Sequence, residues 1–260
     1  MKITCAPSAS TIAPFCRGNK EWRQFGAGNA ITSHVPTVTV SGELFSSVTT
    51  GNAYTRGVSL ARNGWCWGAD DAGQSGTSAP ISNGNTTKLM PQAMTGEHSW
   101  FMLSASNQVT CGVTADGAGY CWGNSTSGRP ASAGSATSTP RAISGGHIGR
   151  QISAGYAPVC GVTTLLNRYC WGANGNRQLG VDLVNGSMTP ALAGNSNAIE
   201  IPAANVAPGS AAYTCAISPD RLRTVCWGRN AKGRLGNDTT TSNIARNIVL
   251  TTVDEQAPVP

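Results

Sequence analysis

The sequence is poor in charged residues and has no long apolar run, and each absence excludes a class of protein. Asp, Glu, Lys and Arg make up 12% of the 260 residues, whereas an average globular chain has roughly 25%. No segment approaches the ~18 consecutive apolar residues of a membrane helix. The N-terminal MKITCAPSAS lacks the apolar core of a secretory leader. We therefore expect no membrane span, and an exported form would take its leader from outside this chain.

Helical periodicity and catalytic motifs are missing as well. Gly and Pro interrupt every apolar pattern with the i, i+3, i+4, i+7 spacing of a helix. No GxSxG, HExxH, Walker or GxGxxG motif occurs. The three histidines stand alone in segments between repeats, at His34, His98 and His147. We predict an all-β chain that is not an enzyme and holds no cofactor or metal.

The net charge is modest, at +6 from 18 Lys and Arg against 12 Asp and Glu. Basic residues are densest in the last repeat, where six of them are spread over 26 residues: Arg221, Arg223, Arg229, Lys232, Arg234 and Arg246. Closeness in sequence does not place side chains on one face. We interpret these residues as a solvated surface, which argues against a nucleic-acid partner.

A repeated Cys-Trp-Gly tripeptide organises the chain. It begins at Cys66, Cys121, Cys170 and Cys226, and a degenerate copy, Cys-Arg-Gly, begins at Cys16. The intervals between these cysteines are 50, 55, 49 and 56 residues. Similarity extends to both sides of the signature, as in CGVTTLLNRYCWGANGNRQLG at residues 160–180. A period near 50 residues is typical of repeat architectures such as propellers.

Each unit is predicted to contain four short strands. Residues 159–163 and 168–172 are runs of β-branched, aromatic and Cys residues separated by turn residues, which predicts a hairpin, and short segments at 152–155 and 189–192 flank it. Four antiparallel strands per unit predict a β-propeller of about five blades, either a small closed ring or an arc of a larger one. We expect one repeat domain over residues 1–260, with blades at 1–42, 43–96, 97–146, 147–194 and 195–250, and a tail or ring-closing strand at 251–260.

The Trp of each full signature is predicted to fill space between adjacent blades. A Trp on a strand buries a large ring, and the Gly after it lets the backbone bend or another segment approach closely. We therefore assign four residues to the inter-blade core and not to a ligand site: Trp67, Trp122, Trp171 and Trp227.

Eight of the nine cysteines fall into pairs ten or eleven residues apart: Cys5 with Cys16, Cys111 with Cys121, Cys160 with Cys170, and Cys215 with Cys226. The two members lie on the two strands of a predicted hairpin, where opposed Cα atoms are within the range of a disulfide. In the second unit Arg56 holds the position of the missing partner, which leaves Cys66 as an orphan. We predict four structural disulfides, one buried free thiol and an oxidising compartment.

Zinc binding is the competing use of paired cysteines. Structural zinc sites use C-x2-4-C spacing, whereas these pairs have nine or ten intervening residues and no neighbouring His. Beside Cys66 no His or helix N-terminus is visible that would activate the thiol. We predict neither a zinc site nor a reactive cysteine.

The repeat, CGVTTLLNRYCWGANGNRQLG above all, resembles the regulator of chromosome condensation family, and the resemblance runs from about Ile3 to Leu250. It implies a β-propeller with four antiparallel strands per blade, and the cysteine-paired variant looks like the bacterial, exported branch of the family. The familiar ring has seven blades, whereas this chain has five signatures and its first unit starts at the second strand. Either residues 251–260 supply the missing strand and close a five-bladed ring, or the chain is an arc with exposed edges.

The functions of that family vary, so the resemblance does not assign one. Its best-known member is a nuclear guanine-nucleotide exchange factor for a small GTPase, and another looks like a propeller inhibitor of β-lactamases. The inserted wedge of the exchange factor matches no segment here, and paired cysteines argue against the nucleus.

We expect an extracellular, periplasmic or cell-surface scaffold that binds a protein through the variable loops 78–90, 126–138 and 182–196. The alternative is self-assembly, or assembly with a partner, through exposed edge strands. Nucleotide exchange is the less favoured third hypothesis.

Overall fold

The fold is described here from a computed structural model. The structure describes residues 3–7, 13–18, 24–28, 33–39, 41–81, 86–125, 135–146, 148–156, 158–181, 183, 185–193, 205–208, 212–217, 224–231, 233–235 and 240. In this part of the chain every regular element is a β-strand, and no helix is long and apolar enough to cross a bilayer. The all-β prediction is confirmed.

The strands form five antiparallel sheets that follow one another along the chain. Blade 1 comprises β1 (Ile3–Pro7), β2 (Pro14–Gly18) and β3 (Ser33–Val38). Blade 2 comprises β4 (Phe45–Thr50), β5 (Tyr54–Ser59), β6 (Gly64–Ala69) and β7 (Thr87–Ala93). Blade 3 comprises β8 (Trp100–Ala105), β9 (Val109–Thr114), β10 (Gly119–Gly123) and β11 (Thr137–Ala142). Blade 4 comprises β12 (Gln151–Ala154), β13 (Pro158–Val162), β14 (Arg168–Gly172) and β15 (Ser187–Leu192). Blade 5 comprises β16 (Asn205–Pro208), β17 (Tyr213–Ile217) and β18 (Thr224–Gly228).

The blades are arranged radially, with the first strands of blades 2 to 5 innermost. β4 packs against β8, β8 against β12, and β12 against β16. Each blade is a simple meander in which sequence neighbours are hydrogen-bonded neighbours, which is the architecture of a β-propeller. The predicted ring-closing segment, residues 251–260, lies outside the described residues, and the blade limits given above stay predictions.

The Gly of the signature is required by the backbone. In blades 1 to 4 the ladder to the outermost strand shifts by two residues between the Cys and the Gly, as between Cys121 and Gly123. A Cβ at Gly123 would stand 2.2 Å from the carbonyl oxygen of Gln108. The Gly has a positive φ in all five blades: Gly18, Gly68, Gly123, Gly172 and Gly228. A bulge with a positive φ and a close backbone neighbour admits only glycine without strain.

The signature tryptophans are buried, and two of them are bonded to the preceding blade. Trp122 Nε1 donates to the carbonyl oxygen of Gln74 at 3.1 Å, and Trp227 Nε1 donates to that of Gln178 at 2.9 Å. In each case a Thr hydroxyl from the same blade as the Trp reaches the same carbonyl. We name this arrangement of turn carbonyl and next-blade Trp the inter-blade clasp. Because donors and acceptor belong to consecutive blades, the clasp sets how one blade docks on the next.

The turn that follows the signature presents the clasp carbonyl. In residues 174–180 the side-chain oxygen of Asn174 accepts the N–H of Leu179 at 2.9 Å, and the same bond recurs five residues after Asp70 and Asn230. Gly180, with φ 71°, ends this turn, and a Cβ there would stand 2.8 Å from Nε1 of Trp227. The Gln-x-Gly turns at 74–76 and 178–180 are therefore the docking seats for Trp122 and Trp227.

Candidate functional site

Four disulfides bridge the first two strands of blade 1 and the second and third strands of blades 3, 4 and 5: Cys5–Cys16, Cys111–Cys121, Cys160–Cys170 and Cys215–Cys226. In every pair the two cysteines are directly opposed in the strand register. Their Cα atoms are 4.0–4.2 Å apart, as the closely spaced positions of an antiparallel ladder allow. Four disulfides indicate that the chain folds in an oxidising environment.

In blade 2 a buried arginine replaces the disulfide. Arg56 lies directly opposite Cys66, and both side chains are buried. Arg56 Nη1 donates to the carbonyl oxygen of Ser104 at 2.5 Å and Nη2 to that of Val109 at 3.3 Å, while Cζ lies 4.2 Å from the centre of the Tyr54 ring. Ser104 and Val109 belong to blade 3. Arg56 therefore joins two blades at the position where a cysteine would join two strands.

The free thiol of Cys66 is expected to be inert in the native protein. Burial raises the pKa of Cys66 from 9.0 to about 12, and the neighbouring Arg56 charge offsets only part of that effect. Because the thiolate is the reactive form, its fraction at pH 8 is roughly a thousandfold below that of an exposed thiol. Iodoacetamide should leave the native chain unlabelled over the time in which it labels one cysteine in guanidinium. Equal labelling rates in the two samples would contradict this assignment.

Substituting Arg56→Cys is expected to create a fifth disulfide. The new cysteine would oppose Cys66 in the same register as the four existing pairs, and opposed cysteines at this spacing oxidise readily. A thiol assay of the unreduced, denatured variant should count none, whereas Arg56→Ser should keep one. Two thiols in the cysteine variant would show that blade 2 holds its hairpin differently from the other blades.

The turns between second and third strands, and the connectors between blades, lie at one end of the antiparallel blades. We name this end the hairpin face; its described members are turns 60–63, 115–118 and 163–167 and connector residues 39, 41–44, 94–99, 143–146 and 148–150. Backbone bonds join them, since Trp100 N–H donates to the carbonyl of Arg62 at 2.8 Å and Ala115 N–H to that of Ser99 at 2.7 Å.

The variable loops 78–90, 126–138 and 182–196 follow the third strands, so they begin at the opposite end of the blades. Parts of these loops, at 82–85, 126–134, 182, 184 and 194–196, lie outside the described residues.

Two clefts open on the hairpin face, at successive blade junctions. The cleft between blades 3 and 4 has a volume of about 530 Å³ and a lining that includes Asp116, Asn167 and Tyr169. Asp116 closes its own turn, because its Oδ1 accepts the hydroxyl of Thr114 and the N–H of Ala118. The bond from Thr114 holds the pKa of Asp116 below its ordinary value. This carboxylate stabilises its own turn, as expected of an Asp-Gly pair.

The cleft between blades 2 and 3, which we name the junction cleft, has a volume of about 340 Å³ and is aromatic. Its lining includes Trp65, Met94, His98 and Trp100. The His98 ring centre lies 5.2 Å from that of Trp100 and 4.4 Å from that of Tyr120. The connector that carries His98 thus folds its imidazole onto two rings from two different strands.

Sequence reasoning missed the position of His98. It set all three histidines aside as lone loop residues, and no spacing in the sequence brings His98 to the rings that it contacts. Of the other two, His34 lies in β3 and His147 lies outside the described residues. Within the described ranges, no three His, Cys, Asp or Glu side chains are grouped so that they could hold a metal ion.

Apolar side chains are exposed on the hairpin face. Leu165, at the tip of turn 163–167, is 81% exposed, and Leu60 is exposed on turn 60–63. The N–H of Leu60 donates to the carbonyl of Leu44, which is exposed beside it. Grouped apolar side chains on a soluble surface mark sites of interaction.

Phe101 adds an aromatic ring to this surface. It is the extra residue of a bulge in β8, because Trp100 pairs with Thr114 and Met102 pairs with Val113. Bulges re-aim a side chain, and Phe101 is 58% exposed although its strand is innermost. No feature of the sequence predicts this bulge.

Comparison with known proteins gives likenesses in structure only. No family model and no curated protein matches the chain. Human WBSCR16 superposes with a TM-score of 0.77 at 18% identity, over 94% of this chain and 63% of that one. Yeast RCC1 (Prp20), solved bound to Kap60, gives 0.71 at 19% identity, over 92% and 58%. The CRINKLY WD40 ectodomain of the Arabidopsis thaliana receptor kinase ACR4 gives 0.54 at 20% identity, over 94% and 66%.

The radial sheets and these likenesses define the chain as a β-propeller. Its fold is an RCC1-like propeller, like that of yeast RCC1. The chain spans 63% of the length of human WBSCR16 and 58% of that of yeast RCC1. At identities under 20% for these two, the likeness concerns the fold.

Proposed function

We propose that the chain is a non-enzymatic β-propeller scaffold, exported or held at a cell surface, that binds a partner protein. The observation that carries the proposal is the hairpin face, where Leu60, Phe101 and Leu165 stand exposed on turns and strands of consecutive blades. Function on a rigid fold resides in such segments. The variable loops 78–90, 126–138 and 182–196 are a second proposed contact region at the other end of the blades.

The rigidity of the scaffold supports this proposal. Disulfides cross-link the two strands that carry turns 115–118 and 163–167, and the inter-blade clasp docks blade 3 on blade 2. A surface whose backbone is fixed before binding loses less conformational entropy on association. Yeast RCC1 (Prp20), a neighbour with the same fold, was solved bound to the protein Kap60.

The four disulfides favour a location outside the reducing cytosol. An extracellular, periplasmic or cell-surface location would meet that requirement, and the ACR4 neighbour is an ectodomain. We propose the same environment for this chain.

The test compares two double variants of the immobilised chain. Phe101→Ser with Leu165→Ser removes two apolar residues of the hairpin face, and Val35→Ser with Val38→Ser removes exposed apolar residues from the outer strand β3, which lies outside both proposed contact regions. Secreted and surface proteins of the source organism are passed over each. We expect one protein to be retained by the unaltered chain and by the β3 variant, and its retention to fall at least about tenfold with the hairpin-face variant. Equal retention by both variants would refute this surface. Loss of retention in both variants, with retention by the unaltered chain alone, would refute it as well.

Self-assembly through edge strands is tested separately, by light scattering. A monodisperse monomer over a wide concentration range is the expected result. A concentration-dependent increase in mass that Phe101→Ser with Leu165→Ser leaves unchanged would favour assembly through the strand edges.

A further inference from the structure

The junction cleft combines an apolar interior with one acidic side chain. Trp100 and Met94 are buried in its lining, Trp65 and His98 are half-buried, and Glu97 is exposed. None of the described residues that line this cleft is Lys or Arg. The cleft therefore offers ring faces and a thioether below a single negative charge.

The floor of the cleft is fixed by the packing of the blades. The Trp100 ring centre lies 5.5 Å from that of Trp122 and 5.8 Å from that of Tyr120. A Cβ at Gly64 would stand 2.7 Å from Sδ of Met94 and 2.8 Å from Nε1 of Trp100. Because these side chains are closely packed beneath the cleft, its shape is formed before any ligand binds, as in most binding pockets.

We infer that the junction cleft receives a basic side chain of the partner, an arginine in preference to a lysine, and this inference rests on the proposed protein-binding function. Aromatic faces attract cations. A planar guanidinium stacks on a ring and pairs with a carboxylate through two hydrogen bonds. Because the His98 ring already packs on Trp100 and Tyr120, we place the guanidinium between the ring of Trp65 and the carboxylate of Glu97. The aliphatic stem would cover Met94 and Trp100.

The other classes of side chain fit less well. An acidic side chain would be repelled by Glu97, and an apolar one would bury that carboxylate without a counter-charge. Arg62 is exposed on turn 60–63, next to the cleft in sequence but outside its lining. It supplies a charge control of the opposite sign.

The test titrates the isotope-labelled full chain with three capped tripeptides, Gly-Arg-Gly, Gly-Lys-Gly and Gly-norleucine-Gly. The indole N–H signal of Trp65, assigned by its loss in Trp65→Phe, reports occupancy. We expect a saturable shift with the arginine peptide, half-complete on the order of 1 mM, a weaker one with lysine and none with norleucine. Glu97→Gln should weaken arginine binding about threefold, whereas Arg62→Gln should leave it equal or tighter.

The remaining variants separate recognition from folding. Trp65→Phe keeps a π face and should retain binding, measured then through the Trp100 indole signal, while Trp65→Leu should lose it at an unchanged count of one free thiol. Shifts of equal size with norleucine, no saturable shift, or full affinity in Glu97→Gln would overturn the inference.

The inference and the proposed function fail in different ways. If a partner is captured and Glu97→Gln does not weaken its retention, the arginine site is refuted and the protein-binding function is retained. If the tripeptide binds but no partner is retained, the cleft is a cation-binding site and the scaffold function is refuted.

Discussion

Replacing Trp122 by alanine is expected to lower the free energy of unfolding by about 4 kcal/mol. Its indole is fully buried between blades 2 and 3 and contacts Trp100, and its N–H is bonded to the carbonyl of Gln74. The substitution leaves a ring-sized cavity and removes one of the two donors, the indole N–H and the Thr110 hydroxyl, that bond to that carbonyl. Guanidinium denaturation followed by circular dichroism measures the change.

Two further variants identify the cause of that loss. Trp122→Phe keeps most of the ring but not the N–H donor, so about half of the loss is expected to remain. Leu165→Ala, at an exposed position, should stay within about 0.5 kcal/mol of the unaltered chain. A loss below about 1 kcal/mol for Trp122→Ala would mean that this residue does not join the blades.

Gly123→Ala is expected to cost about 3 kcal/mol or more. The φ of Gly123 is 100°, a conformation that side-chain-bearing residues rarely adopt, and the added methyl carbon would meet the carbonyl oxygen of Gln108 at 2.2 Å. That oxygen is backbone and cannot rotate away. The expected result is a large fall in the denaturation midpoint.

Gly175→Ala is the matched control for this prediction. Gly175 lies in an exposed turn with nothing within 4 Å of the added carbon, so the change should be neutral or stabilising by up to about 1 kcal/mol. Similar losses in both variants would show that the loss in Gly123→Ala does not come from the backbone conformation and close contact at the signature.

The blade itself was predictable because its determinants are local. Cys160 and Cys170 oppose each other across one short hairpin, so their spacing alone places them together. The signature Gly was predictable for the same reason, since a bulge and a positive φ involve only adjacent residues.

The contacts between blades were only partly predictable. Burial of Trp227 follows from its size and repetition, but its bond to the carbonyl of Gln178, 49 residues earlier, depends on how two sheets dock. The role of the Gln-x-Gly turn as a docking seat follows from that same geometry. The sequence therefore shows that the turn recurs but not which residue docks on it.

The candidate site was least predictable of all. The loops that vary in length drew attention to one end of the blades, whereas the clefts open at the other. Phe101 is exposed through a bulge of one residue, and His98 meets Tyr120 across 22 positions of sequence. The bulge recurs in β4, where Phe45 pairs with Ser59 and Ser47 with Val58, but the residue that it exposes there is Ser46 and not an aromatic ring. Both arrangements depend on how strands pair and pack, which the sequence pattern does not show.

Disulfide mapping of the unreduced protein by peptide mass spectrometry tests the central claim most directly. Because each oxidised pair lies within one blade, digestion should give four linked peptide pairs, Cys5 with Cys16, Cys111 with Cys121, Cys160 with Cys170 and Cys215 with Cys226, and a single free thiol at Cys66. Bonds that join cysteines of different blades would contradict the fold. Nine free thiols in protein taken from its natural source would contradict the oxidising compartment and would indicate a reducing one.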